Sequence, residues 1–366
     1  MMVEESDAIE YAYEQGWTDG LPVVPPTPER VLSMLEAAGK NGADVVGAVA
    51  LSGHTVTAGF VAANAVMAGC KPAYFNIVIA AMKAVLDPAF NIVTVATSTG
   101  GASICIVVSG PQAYEIGMNS SHNLLGPGNR ANATIGRAVH LAISNSLGFD
   151  AATLRASSIG HPGKYTLCFS ENDRLSPWDP IRCELGYSLA DTTVTVMATE
   201  GPRQVANQLN EAPEKILLSV AAAMKAPSTF IVGKGGQGVV ILGYEHARAV
   251  GSSGWTRVQV REFLLQNARL SPAELEAGGN CREIGTQHEL PVGEDGKLPT
   301  FLAAEDIVLV TAGGPGAGWS AYIPAWAPAI HSRSITRRVP PVGEALPDCG
   351  PDSCDISAIT NSQFMI

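Results

Sequence analysis

Ala102-Ser-Ile-Cys-Ile-Val-Val-Ser109 and, ten residues on, Asn119-Ser-Ser-His-Asn-Leu-Leu-Gly-Pro-Gly-Asn-Arg-Ala-Asn-Ala-Thr-Ile-Gly-Arg137 are the stretch on which the fold turns. The first segment is short, apolar and β-branched, and reads as a buried strand. The second is a polar, glycine-rich loop that runs straight into a helix. A strand, a glycine-rich loop and a helix in that order form the unit of an α/β fold, and such loops carry ligands. Arg130 opens the helix and Arg137 follows it, although the positive end of a helix disfavours cations unless something negative sits among them. Seven residues are close to two turns, so both guanidinium groups project from one side, about 10 Å apart. A carboxylate or phosphate there would meet free N–H groups, a dipole and two forks. The other reading pairs both arginines with carboxylates of this protein.

Working outward, residues 6–16 read as an amphipathic helix, and Trp17-Thr-Asp-Gly-Leu-Pro-Val-Val-Pro-Pro26 as a stiff extended connector. Thr27-Pro28-Glu29 starts a second helix. Residues 45–50 read as a buried strand, and 57–68 and 74–86 as two alanine-rich helices buried on more than one side. Strands are expected over 90–96 and 102–109, with Gly100-Gly101 as the turn between them, then over 165–169 and 192–198. Residues 202–226 read as a helix broken at Pro213. Strands at 229–232, 239–242 and 307–311 and a helix at 256–268 continue the α/β style, and Ala312-Gly-Gly-Pro-Gly-Ala-Gly318 supplies a second glycine-rich turn. The fold class is therefore α/β, with mixed sheets flanked by helices in two similar-sized halves, residues 1–200 and 201–340, and a tail over 341–366.

Composition narrows the function. Hydrophobic residues make up 46% of the 366 and charged residues 16%, so much surface is buried or faces another subunit, and a homo-oligomer is expected. A net charge of −11 argues against nucleic acid and acidic membrane surfaces as partners. The acidic N-terminus lacks the layout of a signal peptide and no apolar run is long enough to span a bilayer, which implies a cytoplasmic protein. Seven cysteines, most of them within apolar segments, read as reduced core residues.

Nucleotide signatures fail. Gly233-Lys-Gly-Gly-Gln-Gly238 does not match G-x-G-x-x-G and reads as a hairpin, and residues 313–318 precede a poor helix start, so no nucleotide cofactor is expected. No local zinc cassette occurs. Glu245 and His246, at a strand end, are the candidate ligands for a divalent metal, and His288-Glu289 lies in a loop. The leading expectation is an enzyme acting on a small anion, a carboxylate above all, by lyase, hydrolase or reductive chemistry. Gly126 and Gly128 let the backbone approach the anion, Asn129 and Asn132 orient it, and Arg130 and Arg137 clamp it. His122, His161 or His246 moves the proton, with Lys164 as a further catalytic candidate and Tyr165 as a further binding one. Cys349 and Cys354, with four residues between them that include Gly and Pro, form a candidate redox pair. The alternative is a non-catalytic scaffold that holds a thiol-bearing partner protein.

Four strings carry a resemblance: Tyr11-Ala-Tyr-Glu-Gln-Gly-Trp-Thr-Asp-Gly-Leu-Pro-Val-Val-Pro-Pro-Thr-Pro-Glu-Arg30, Asn64-Ala-Val-Met-Ala-Gly-Cys-Lys-Pro72, Leu125-Gly-Pro-Gly-Asn-Arg-Ala-Asn-Ala-Thr-Ile-Gly-Arg137 and Gly163-Lys-Tyr-Thr-Leu-Cys168. Together they resemble the UGSC group of little-characterised bacterial proteins, named for a selenocysteine-Gly-Ser-Cys tetrad. The resemblance spans residues 11–338. It implies thiol or selenol redox chemistry for tetrad-bearing members, and here the tetrad maps onto Cys349, Gly350, Ser353 and Cys354, with Pro351-Asp352 intervening.

Overall fold

The computed structural model describes residues 5–49, 53–148, 151–225, 235–277 and 292–341. The strand expected over 229–232, His288-Glu289 and the Cys349/Cys354 pair lie outside these residues. The chain opens with α1 (Glu5–Glu14) and α2 (Pro28–Ala37), then a hairpin of β1 (Val45–Ala48) and β2 (Thr55–Thr57). Next come α3 (Ala58–Ala68), α4 (Phe75–Val85), α5 (Ile92–Ala96), β3 (Ser103–Ser109), α6 (Pro111–Glu115), α7 (Arg130–Ser146) and α8 (Ala151–Leu154). β4 (Cys168–Ser170), α9 (Ile181–Glu184) and β5 (Thr192–Thr199) complete the first half. The second runs β6 (Arg203–Ala206), α10 (Pro213–Met224), β7 (Gly238–Leu242), α11 (Tyr244–Ser252), α12 (Arg257–Asn267), β8 (Arg269–Leu270), α13 (Pro272–Ala277), β9 (Leu298–Pro299), β10 (Ile307–Thr311), β11 (Trp319–Ile323) and β12 (Ile335–Val339).

Two four-stranded mixed sheets form the centre, in the orders β12-β5-β3-β4 and β10-β7-β11-β6. Each has one parallel pair, β3 with β4 and β10 with β7, and is otherwise antiparallel. The side chains of β3 and β5 alternate between two cores. Ile104, Ile106, Val108, Val194 and Val196 face the helix layer of α3, α4 and α7, whereas Cys105, Val107 and Met197 meet Val239, Ile241, Val308 and Val310 of the other sheet. On the far side, Val240, Leu242 and Leu309 pack on α10, α11 and α12. The layers are therefore helix, sheet, sheet, helix. That covering of both faces is why β3, β5, β7 and β10 are buried at every position, and why β3, β7 and β10 read as near-continuous apolar runs.

The first sheet takes its antiparallel edge strand, β12, from the second half of the chain. After β5 the chain crosses to the second sheet, where β6 pairs with β11; after β11 it crosses back, and β12 pairs with β5. The two crossings are bonded to each other, with Glu200 N–H donating to Pro324 O at 2.9 Å and Trp326 N–H to Ala198 O at 3.0 Å.

Several local readings are corrected. Residues 90–96 hold α5 (Ile92–Ala96) rather than a strand: Asn91 turns the chain with φ +57°, and Phe90, Ile92 and Val95 sink into the helix layer. Residues 202–226 are not one helix. Arg203–Ala206 is recruited as an edge strand, and Pro213 starts α10 instead of breaking a helix. β1 is half-exposed, with Val45 at the surface. Gly100-Gly101 joins a helix to β3, Tyr165 lies in a turn ahead of β4, and α6 intervenes between β3 and the glycine-rich loop. Among the described residues no helix is long and apolar enough to cross a membrane.

Candidate functional site

The loop ahead of α7 is held by its own asparagines. Asn129 caps the helix by accepting the Asn132 N–H at 3.0 Å, and its amide donates to Gly117 O at 2.8 Å. Asn132, 5% exposed, accepts the Asn119 N–H and donates back to Asn119 O. Both side chains thus spend their polar atoms on the loop. Gly126 lies against Asn123, where an added Cβ would sit 2.0 Å from Oδ1, and Gly128 takes φ +118°. Arg130 is exposed and its Nε–H donates to Gly69 O at 2.9 Å. Arg137 forks onto Asp19, with Nε to Oδ2 and Nη2 to Oδ1 both at 2.8 Å, and Nη2 also donates to Pro22 O at 2.9 Å. Of the two readings of that arginine, pairing with a carboxylate of this protein is the one realised.

The second glycine-rich turn is likewise filled from within. The Glu245 carboxylate, at the start of α11, accepts the Gly316 N–H at 2.7 Å. Burial alone would raise its pKa, but its own N–H and those of Gly316, Gly318 and Ala317 outweigh that and hold it below the usual range. His246, 2% exposed, accepts at Nδ1 from Ser320 Oγ at 2.7 Å and donates from Nε2 to Asn207 O at 3.0 Å. His122 donates from Nε2 to Pro315 O at 2.7 Å, tying the first loop to the second. No group of three or more His, Cys, Asp or Glu suited to a metal forms among the described residues. Cys70, Cys105 and Cys168 are free and buried, and burial pushes the Cys70 thiol up to about 12 and the other two further, so these are inert core thiols.

A cleft of about 470 Å³ opens at the other end of α7. Ser144 and Asn145 of α7 form one wall, Thr18 and Asp19 of the proline-stiffened connector another, and the segment from Leu154 to Tyr165 the rest. It gathers His161, Lys164 and Tyr165 and leaves out His122, His246 and Arg130. With 1.5 Å of rise per residue, Arg130 stands roughly 20 Å from Ser144 along the helix. His161 is a strut: Nε2 donates to Gly101 O at 2.8 Å and Nδ1 accepts the Gly163 N–H at 3.1 Å. Burial, aided by the Lys164 charge, lowers its pKa despite the Gly101 bond, so the ring is neutral.

Lys164 is the chemically distinctive group. Nζ donates to Ser157 Oγ at 3.0 Å and to Ala102 O at 3.3 Å, and among the described residues it makes no ion pair. Burial lowers its pKa. The Ser157 hydroxyl itself points at the carbonyls of Gly100, at 2.6 Å, and Ser98, at 3.1 Å. Arg155 donates to Thr18 O at 3.4 Å and is exposed on the same cleft. Asp19, the single carboxylate among the described lining residues, is neutralised by Arg137. Arg137→Ala should cost about 2 kcal/mol, because it leaves a half-buried Asp19 without two charge-assisted bonds and loosens the connector. A urea midpoint equal to that of the parent would show that the pair carries no stability.

Arg155, Ser157 and Asp19 escape a reading of the sequence. Arg155-Ala-Ser-Ser-Ile-Gly160 looks like an ordinary polar loop, and only its continuation into Gly-His-Pro-Gly-Lys164 signals a constrained turn. Compared with protein-family models and with curated proteins, the chain matches none.

Proposed function

We propose that this protein is an enzyme acting on a small carboxylate, bound in the cleft between the connector, the end of α7 and residues 154–165. One observation carries the reading: two cationic side chains, Arg155 and Lys164, line a polar cleft whose described carboxylate is already spent on Arg137. The cleft is therefore locally positive within a chain of net charge −11, and it draws anions of a size that its 470 Å³ can hold. Arg155, exposed on the cleft and held to Thr18 O through Nη2, is suited to hold the carboxylate, and Lys164, deeper in the wall, faces the reacting part. This places the anion away from the start of α7, where Asn129, Asn132 and Arg137 are engaged in holding the fold.

Titration calorimetry with a panel of small mono- and dicarboxylates tests the proposal. At least one member should bind, and Arg155→Ala should weaken it by tenfold or more, the effect of losing roughly 1.4 kcal/mol. Equal binding by parent and variant, or none by either, would rule the cleft out.

A further inference from the structure

We propose that Lys164 is an amine nucleophile that forms an imine with the carbonyl group of a small oxo acid, the acid's carboxylate resting on Arg155. The inference rests on the cleft being the carboxylate site and adds the reacting group. Its basis is how the nitrogen is held. A neutral amine has two N–H bonds and one lone pair. The two acceptors around Nζ, Ser157 Oγ at 3.0 Å and Ala102 O at 3.3 Å, take both N–H bonds, which leaves the lone pair the remaining tetrahedral position on a side chain that lines the cleft. The Ser157 hydroxyl cannot reverse the first bond cheaply, because its one proton is directed at Gly100 O at 2.6 Å and Ser98 O at 3.1 Å.

The surroundings favour the neutral form of the amine. His161 presents no charge, since both its ring nitrogens are bonded to backbone groups. Asp19 is paired with Arg137, so no unpaired carboxylate among the described lining residues holds the ammonium form. With burial acting in the same direction, a desolvated lysine of this kind is the usual form of an imine-forming one.

The step needs no co-reactant. The lone pair attacks the carbonyl carbon and the C=O π pair moves to oxygen, giving a carbinolamine. Two protons leave nitrogen, two join the oxygen, and that oxygen departs as water as the C=N bond forms. The product is an electron sink next to the substrate's α-carbon, suited to breaking a C–C or C–H bond there.

Sodium borohydride trapping on the full-length protein tests this, with pyruvate, 2-oxoglutarate and levulinate as probes. The expected result is an irreversible adduct on Lys164 with at least one probe, its mass gain equal to the free acid less one oxygen atom, located by peptide mapping. Lys164→Arg should keep calorimetric binding of the acid, whose carboxylate rests on Arg155, but form no adduct. An adduct spread over surface lysines, or none with any probe, overturns the proposal. If calorimetry still detects the acids in that case, the carboxylate site stands and only the imine falls.

Discussion

Gly110→Ala is expected to remove at least about 4 kcal/mol of stability, enough to unfold much of a protein whose total lies in the ordinary range of about 5–15 kcal/mol. Gly110 ends β3 and precedes α6 with φ +133° and ψ 179°, a region that only glycine occupies readily and that costs other residues about 1–3 kcal/mol. The added methyl group would also lie 2.4 Å from Asp191 O and 2.6 Å from Thr192 Cα, both backbone atoms at the start of β5. These cannot swing aside as a side chain would. Relief requires β3 and β5, the central antiparallel pair of the first sheet, to separate where Gln112 N–H donates to Thr192 Oγ1 at 3.0 Å. Gly117→Ala serves as the control. There φ is +73° with open space around the added carbon, so the cost should be only about 1 kcal/mol. Urea unfolding of the two variants checks the difference, and equal midpoints would refute the argument.

Such backbone constraints are invisible in a sequence, while the strands they serve are plain in it. β3, β7 and β10 are legible because layers on both faces demand near-continuous apolar runs, and β5 is legible by its alternating Thr-Val-Thr-Val. β12, Ile-Thr-Arg-Arg-Val at a half-exposed edge, has no such pattern, and nothing local says that it returns to β5, some 140 residues earlier. Residues 90–96 show the converse. Their β-branched side chains favour a strand locally, yet the helix layer needed them as packing. The site divides in the same way. The Gly-His-Pro-Gly-Lys-Tyr turn announces a constrained loop, so His161, Lys164 and Tyr165 could be named. The cleft also needs Asp19 and Asn145, which only the tertiary fold brings alongside. Arg130 and Arg137 both lie on α7, but the carboxylate that answers Arg137 stands 118 residues away.

His140 should make the protein acid-sensitive well above the carboxylate range. It sits on α7 between the helix and β3, donating from Nδ1 to Gly136 O at 3.0 Å and accepting the Ile104 N–H at Nε2 at 3.4 Å. Burial, with the Lys164 charge adding to it, depresses its pKa from 6.5 to about 4, against the opposing pulls of the Gly136 carbonyl and Asp19. Above pH 6.5 the ring is neutral in both the folded and the unfolded chain and stability does not depend on it. Between pH 6.5 and 4 the unfolded chain binds the proton and the folded one does not, so stability falls with pH. Below 4 the loss is complete, at roughly 3 kcal/mol for a shift of this size. His161, whose pKa is lowered for the same reason, contributes with the same sign. The measurement is the free energy of unfolding at pH 7 and pH 4.5 for the parent and for His140→Gln, which retains a polar side chain but cannot titrate. The variant starts less stable at neutral pH, yet its decline on acidification should be shallower by about 2 kcal/mol. Parallel declines would mean that His140 takes up its proton without opening the contact between α7 and β3. The Lys164 charge on its cleft side would then have to be weaker in the folded protein than the geometry implies.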